Sequence, residues 1–191
     1  MYSKFTIKKP DGTERAFVGY EPSMPEPGAK AYASTTLKGK KLPARVDLRS
    51  EMSEVESQGQ TSSCTANAVA GAVEYLFRQQ LGDDAYELSR LFIYYNGRYL
   101  NPRNNKVVQD SGSAILYCIE GLKQYGVCSE DTWEFSPKIV NEEPSEDAYA
   151  EAEAFQIAGE ETLATDLTAW KSALAEGYPI IFAVKTYKTF D

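Results

Sequence analysis

Between Ser62 and Gly82 the side chains Val69, Ala72, Val73, Leu76 and Phe77 recur at the i, i+3, i+4, i+7, i+8 spacing of one helix face. Ser62 or Ser63 stands where an N-cap is needed, and Gly82 with Asp83-Asp84 supplies the stop. Such a face must be buried against other elements, and the sequence offers several. A second, short helix is expected from Ser89 to Tyr95, burying Leu88, Leu91, Phe92 and Tyr95 and stopped by Asn96-Gly97. Residues 101–110 read as polar loop, and a third helix from about Ser113 to Gln124 ends at Tyr125-Gly126. A fourth covers about Thr165 to Glu176, with Leu167, Trp170 and Leu174 on one side and Gly177 as terminator. Pro179 to Val184 is then an apolar run of strand length that needs sheet partners. This order predicts an α+β chain.

Ahead of the helices the character differs. Residues 1–42 carry Pro10, Pro22, Pro25 and Pro27 with Gly12, Gly19 and Gly28, and close on Lys38-Gly39-Lys40-Lys41. Alternation in Lys4 to Lys8 and in Arg15 to Val18 predicts one short hairpin around Asp11-Gly12. The rest of this leader reads as extended chain on a surface. The acidic stretch 141–153 reads as a solvated face or loop and carries no functional assignment.

The chain of 191 residues can bury one sizeable core or two small ones packed on each other. Its net charge of -8 argues against nucleic acid or an anionic membrane surface as partner, since both demand a basic face. No apolar run has the length to span a membrane, and the first thirty residues hold no signal-peptide core. The compartment stays open between cytoplasm and export without a visible leader. The sequence has no histidine, which removes the commonest metal ligand and the commonest general base, so neither metal nor cofactor is expected.

Three cysteines remain, an odd number. Cys118 lies on an apolar helix face with Ile115, Ile119 and Leu122 and reads as a buried free thiol, although a bridge to Cys128 stays open. Cys64 is different. It falls in the first turn of the Ser62–Gly82 helix, where unpaired N–H groups favour negative charge, and the thiolate is the nucleophilic form of cysteine. Thr61, Ser62 and Ser63, all small and hydroxylic, leave its approach open. Gln58 stands six residues earlier, with Gly59 to let the backbone turn. Its side-chain amide and the Cys64 N–H together can donate to the oxyanion of a tetrahedral intermediate.

At these residues a resemblance becomes specific. Leu42-Pro43-Ala44-Arg45-Val46-Asp47-Leu48-Arg49, followed by Gln58 to Ala66, resembles the start of a mature papain-like cysteine peptidase. By that resemblance Cys64 is the expected nucleophile and Gln58 the oxyanion donor, with Ser62 and Ser63 on the floor of the substrate groove. Gln109-Asp110-Ser111-Gly112-Ser113, then a helix and Tyr125-Gly126-Val127, is similar to the family's Asn-Gly-Gly loop, helix and Tyr-Gly turn. Ser111 and Gly112 are then implied in substrate binding, the glycine through its backbone. Trp133 and the Leu174 to Ile180 junction extend the likeness, which covers about Leu42 to Val184. Thr61, Ser62 and Thr65 depart from it, standing where many members have a disulfide cysteine, a glycine and an aromatic residue; the first fits a bacterial-type member without that bridge.

The resemblance implies a papain-like fold: a helical left domain over about 58–135 and the beginning of a β-barrel right domain over about 163–191, within a peptidase domain of 43–191. Peptide or protein is the expected substrate, and residues 1–42 become a candidate pro-segment that covers the cleft and inhibits it. The base is the gap. Asp191 lies 127 residues beyond Cys64, short of the about 130–150 at which the family's histidine is found, so the chain is expected to be the N-terminal portion of a longer protein. Taken alone it should have little peptidase activity, because a free thiol of ordinary pKa is only a few per cent ionised near neutrality. Two other readings stand beside the endopeptidase: a catalytically silent relative that binds peptides or a protein partner in the same groove, and another cysteine–histidine enzyme such as an acyl or amide transferase.

Overall fold

The computed structural model describes residues 5–8, 14–17, 29–34, 37 and 39–184. Phe5–Lys8 (β1) and Glu14–Phe17 (β2) pair antiparallel, in register Phe5 with Phe17 and Lys8 with Glu14. The expected hairpin is thus present; its turn at Asp11-Gly12, and Pro10, Pro22, Pro25 and Pro27 of the leader, lie outside the described residues. Residues 30–34 run beside the C-terminal part of the chain. The Tyr32 N–H donates to Thr162 O at 2.9 Å, the Thr162 N–H to Lys30 O at 2.7 Å, and the Ser34 and Tyr32 hydroxyls both donate to the Glu176 carboxylate.

Five helices follow among the described residues: Cys64–Leu81 (α1), Arg90–Leu100 (α2), Ile115–Gln124 (α3), Glu146–Ala152 (α4) and Leu167–Ala175 (α5). One buried cluster draws Val69, Ala70 and Val73 from α1, Leu91, Phe92 and Ile93 from α2, Cys118 and Leu122 from α3, and Ala148 and Ala152 from α4. Each fully buried Val, Leu, Ile or Phe contributes about 1.5–3 kcal/mol, so this cluster is what fixes the helices against one another.

The face of α1 is turned slightly from the expected one. Val69 and Val73 are buried, but Leu76 is 39% exposed while Glu74 and Tyr75 go inside. Glu74 explains the turn: its carboxylate accepts the Leu88 N–H at 2.8 Å and the Ser53 hydroxyl at 2.5 Å, tying α1 to the segments on either side. With both oxygens bonded, the cost of burying the acid is offset.

The second helix corrects the sequence reading more sharply. Ser89 caps it as expected, accepting the Phe92 N–H at 3.1 Å, but it does not stop at Asn96-Gly97. A Cβ on Gly97 would sit 2.7 Å from Cys118 Sγ and 2.9 Å from Ser113 Oγ, and one on Gly121 would sit 3.2 Å from Asn96 Cβ. The glycines let α2 and α3 cross closely, and the crossing keeps Gly97 inside a helix that its propensity alone would end. Every residue of α2 from Arg90 to Arg98 is buried. Arg98 is held by donating to Tyr94 O at 3.0 Å and Asn141 Oδ1 at 2.9 Å, with its guanidinium carbon 3.6 Å from the centre of the Tyr94 ring.

The acidic stretch is more ordered than a loop. Ser145 caps α4 by accepting the Ala148 N–H at 3.2 Å, and Glu146 and Asp147 occupy the first turn, where the helix dipole favours them. At α5, Asp166 is the cap, and Trp170 and Leu174 are half-buried as expected. Leu167 is instead 66% exposed, being the first residue of a helix that fully buries only Ala173. Residues 179–184 form no strand: Ile181 packs on the core, Phe182 and Val184 are exposed, and no ladder partner lies beside them among the described residues. An apolar run has the composition of a strand, but the ladder exists only where a partner supplies the other half of its hydrogen bonds.

Candidate active site

The chain enters α1 through a tight turn at residues 58–61. The Thr61 N–H and hydroxyl both donate to Gln58 O, at 3.2 and 2.8 Å, and Gln58 Nε2 donates back to Thr61 O at 2.7 Å. That bond uses one of the two amide hydrogens of Gln58 and fixes the side chain just ahead of the helix. The buried Thr61 and Ser63 hydroxyls share a 2.7 Å hydrogen bond, and Asn67 Nδ2 donates to Ser63 Oγ at 3.0 Å. Ser63 occupies the N-cap position, but its side chain does not cap; it holds the loop together. Hydrogen bonds thus close the loop at Thr61.

Cys64 is the first residue of α1 and is half-exposed, with Sγ 4.0 Å from Thr65 Oγ1. The N–H groups of this first turn have no intrahelical acceptor and point out of the helix end. Cys118 and Cys128 are fully buried, and burial pushes each thiol up to about 12. All three cysteines are free, so the 118–128 bridge is not formed. Cys64 is therefore the thiol that a reagent can reach.

A second loop faces this one. Asp110 Oδ1 accepts the Ser62 N–H at 2.8 Å and the Tyr94 hydroxyl at 2.7 Å, while that hydroxyl accepts the Gly112 N–H at 2.9 Å. The Thr65 hydroxyl donates to Ser113 O at 3.0 Å. Ser62, Ser63 and Cys64 are thus brought against the Gly112 segment. Ser111 is exposed on the rim, with its N–H given to Gln109 O at 2.7 Å. Gly112 is buried and its N–H is committed to Tyr94, so a peptide pairing along this segment would meet carbonyls rather than that donor. Asp110 and Tyr94 were not among the expected site residues. The usable signal was Tyr94 itself, since a tyrosine on a buried helix needs a partner for its hydroxyl.

The other flank is held by Arg90. Its guanidinium lies 3.0 Å from Glu56 and 3.2 Å from Glu130, reaches Ser57 O and Asn67 Oδ1 at 3.4 Å, and stands over the Phe135 ring at 4.3 Å. Burial, together with the Glu74, Glu130 and Glu87 carboxylates, pushes Glu56 up to about 7 against the pull of Arg90. The segment leading to Gln58 is thereby pinned to α1 and to the 130–135 turn. Asp47 of the Val-Asp-Leu-Arg segment is exposed and grips Arg49 and Arg45, which hold its carboxyl well below the usual range. Among the described residues no group of three or more His, Cys, Asp or Glu is arranged to hold a metal ion.

No protein-family model matches the sequence. A curated relative, an uncharacterized peptidase C1-like protein of Acanthamoeba polyphaga mimivirus, is 34% identical over 153 residues. The match takes in 76% of this chain and 48% of that protein, so the chain spans about half the length of the relative. Among solved structures, xylellain, a cysteine protease from Xylella fastidiosa, superposes with a TM-score of 0.74 at 28% identity, over 93% of this chain and 67% of its own. Digestive procathepsin L 3 of Tenebrio molitor larval midgut shares the fold at a TM-score of 0.61 and 24% identity, over 78% of this chain and 45% of its own. The half-exposed thiol at a helix start, the turn before it and the loop facing it thus stand on a scaffold held in common with these proteins: the chain has the papain-like fold and is similar in sequence to a peptidase C1-like protein.

Proposed function

We propose that this chain carries the acylating half of a cysteine peptidase. Cys64 Sγ, as thiolate, attacks the carbonyl carbon of a peptide bond; Gln58 Nε2 and the Cys64 N–H hold the oxygen as its charge develops; collapse releases the amine and leaves an acyl-enzyme, which water hydrolyses. The base that takes the thiol proton and returns it to the leaving amine would be a histidine C-terminal to Asp191. The observation that carries the reading is the contrast between one half-exposed thiol at the start of α1 and two that are fully buried. Gly112, Ser111 and Ser62 are proposed to line the groove through backbone groups, and Ser63 contributes through the loop it holds. The leader would act as an internal inhibitor, anchored where Tyr32 and Ser34 meet Glu176.

The second reading, a silent relative that binds peptides in the same groove, rests on the absence of histidine from these 191 residues. The two are separated by testing the product of the complete reading frame against fluorogenic peptides. The peptidase reading expects hydrolysis that Cys64→Ala abolishes, and a histidine followed by an asparagine or aspartate in the codons after Asp191. Peptide binding without hydrolysis, unchanged by Cys64→Ala, would establish the silent relative instead.

A further inference from the structure

Two loops meet at the candidate site, and what joins their front edges is a chain of three hydrogen bonds through two side chains. The Ser62 N–H donates to Asp110 Oδ1 at 2.8 Å, the Tyr94 hydroxyl donates to the same oxygen at 2.7 Å, and the Gly112 N–H donates to the Tyr94 hydroxyl at 2.9 Å. Ser62 stands two residues before the nucleophile candidate; Gly112 stands on the opposite loop. Tyr94 is fully buried in α2, its ring fixed under the Arg98 guanidinium, so the hydroxyl is delivered from the most rigid element of the fold. Burial and the Asp110 carboxylate hold that hydroxyl protonated far above the ordinary tyrosine range, so it keeps donating at any working pH.

We infer that Asp110 and Tyr94 are positioning residues, which act through the Ser62 and Gly112 backbones to set the separation of the two walls of the peptide groove beside Cys64. The inference rests on the reading of Cys64 as the peptide-directed nucleophile and adds the means by which its groove keeps its shape. A single acceptor, Asp110 Oδ1, serves both a backbone N–H of one wall and the side chain that carries the other. Moving the Ser62 wall breaks a charge-assisted bond, and moving the Gly112 wall leaves a buried N–H without a partner. The Thr65–Ser113 bond ties the same loops at the helix, leaving the edge ahead of Cys64 to the relay.

Tyr94→Phe removes only the hydroxyl, and Asp110→Ala removes the shared acceptor. Asp110→Asn keeps a carbonyl oxygen that can accept both bonds. Two measurements on the product of the complete reading frame test the relay: amide hydrogen exchange at Ser62 and Gly112 by NMR, and the rates at which Cys64 is captured by a peptidyl epoxide and by iodoacetamide. In Tyr94→Phe the Gly112 amide, and in Asp110→Ala the Ser62 amide, is expected to exchange at least about tenfold faster. Capture by the peptidyl epoxide should slow about tenfold to a hundredfold in both, because a misplaced wall misplaces the peptide. Capture by iodoacetamide, which needs no groove, should stay within about twofold, and Asp110→Asn should restore most of the peptidyl rate. Unchanged exchange in the variants overturns the relay. Faster exchange with unchanged peptidyl capture, or equal loss with both reagents, overturns its role in the groove. A wild-type product of the complete reading frame that takes iodoacetamide on Cys64 but never the epoxide refutes the underlying reading of the thiol, and the role in the groove falls with it.

Discussion

Gly126→Ala is expected to leave the helical core unfolded or only marginally folded. Gly126 follows the end of α3 at φ +77°, and a Cβ there would lie 1.9 Å from Ala152 O, 2.9 Å from Ala152 C and 3.1 Å from Phe155 O. The left-handed conformation alone costs a non-glycine residue about 1 kcal/mol. The contacts are worse, because the atoms met are backbone at the end of α4 and cannot swing aside. Relief requires moving α3 away from Ala152, a fully buried member of the core cluster. A total loss of about 4 kcal/mol or more follows, a large part of the about 5–15 kcal/mol that holds a domain together. Urea denaturation followed by circular dichroism measures it. Gly159→Ala, where the added atom meets nothing within 4 Å, serves as the control and should shift stability by no more than about 0.5 kcal/mol.

The second large effect is chemical. In the product of the complete reading frame, Gln58→Ala is expected to lower kcat for a peptide substrate by about a hundredfold to a thousandfold with little change in KM, since the side chain would bind the oxygen chiefly as it becomes an oxyanion. Gln58 also closes its own turn through the bond to Thr61 O, so the structural cost must be told apart from the catalytic one. Magnitudes do this. One lost neutral hydrogen bond in a half-buried turn costs about 1 kcal/mol of stability, whereas the rate effect corresponds to about 2.7–4 kcal/mol of barrier. A thermal melt beside the kinetics separates them: a small shift in Tm with a large fall in kcat is the expected pair. A fall in kcat that only tracks unfolding would remove Gln58 from the chemistry.

The local features of the site were legible in the sequence because they depend on neighbours in the chain. Cys64 at a helix start, Gln58 six residues before it and the Gly82 stop all follow from spacing within a few turns of backbone. What escaped depends on partners far along the chain. Gly97 reads as a terminator until α3 is seen to pass within contact of it, and Leu76 reads as core until Glu74 is found taking the Leu88 N–H. The Pro179–Val184 run has strand composition, yet composition cannot supply a ladder partner. Asp110 lies in a loop that was singled out for Gly112, but its bond to Ser62 spans 48 residues, and no periodicity encodes such a pair. The helical order and the inward faces of α2 and α3 were therefore readable, and the rotation of α1 and the bracing between loops were not.

The central claim is that Cys64 is the peptide-directed nucleophile, and labelling with a peptidyl epoxide followed by peptide-mapping mass spectrometry tests it most directly. The account predicts one adduct, on Cys64, lost in Cys64→Ala and retained in Cys118→Ala and Cys128→Ala. An adduct on Cys118 or Cys128, or labelling that survives Cys64→Ala, would contradict it.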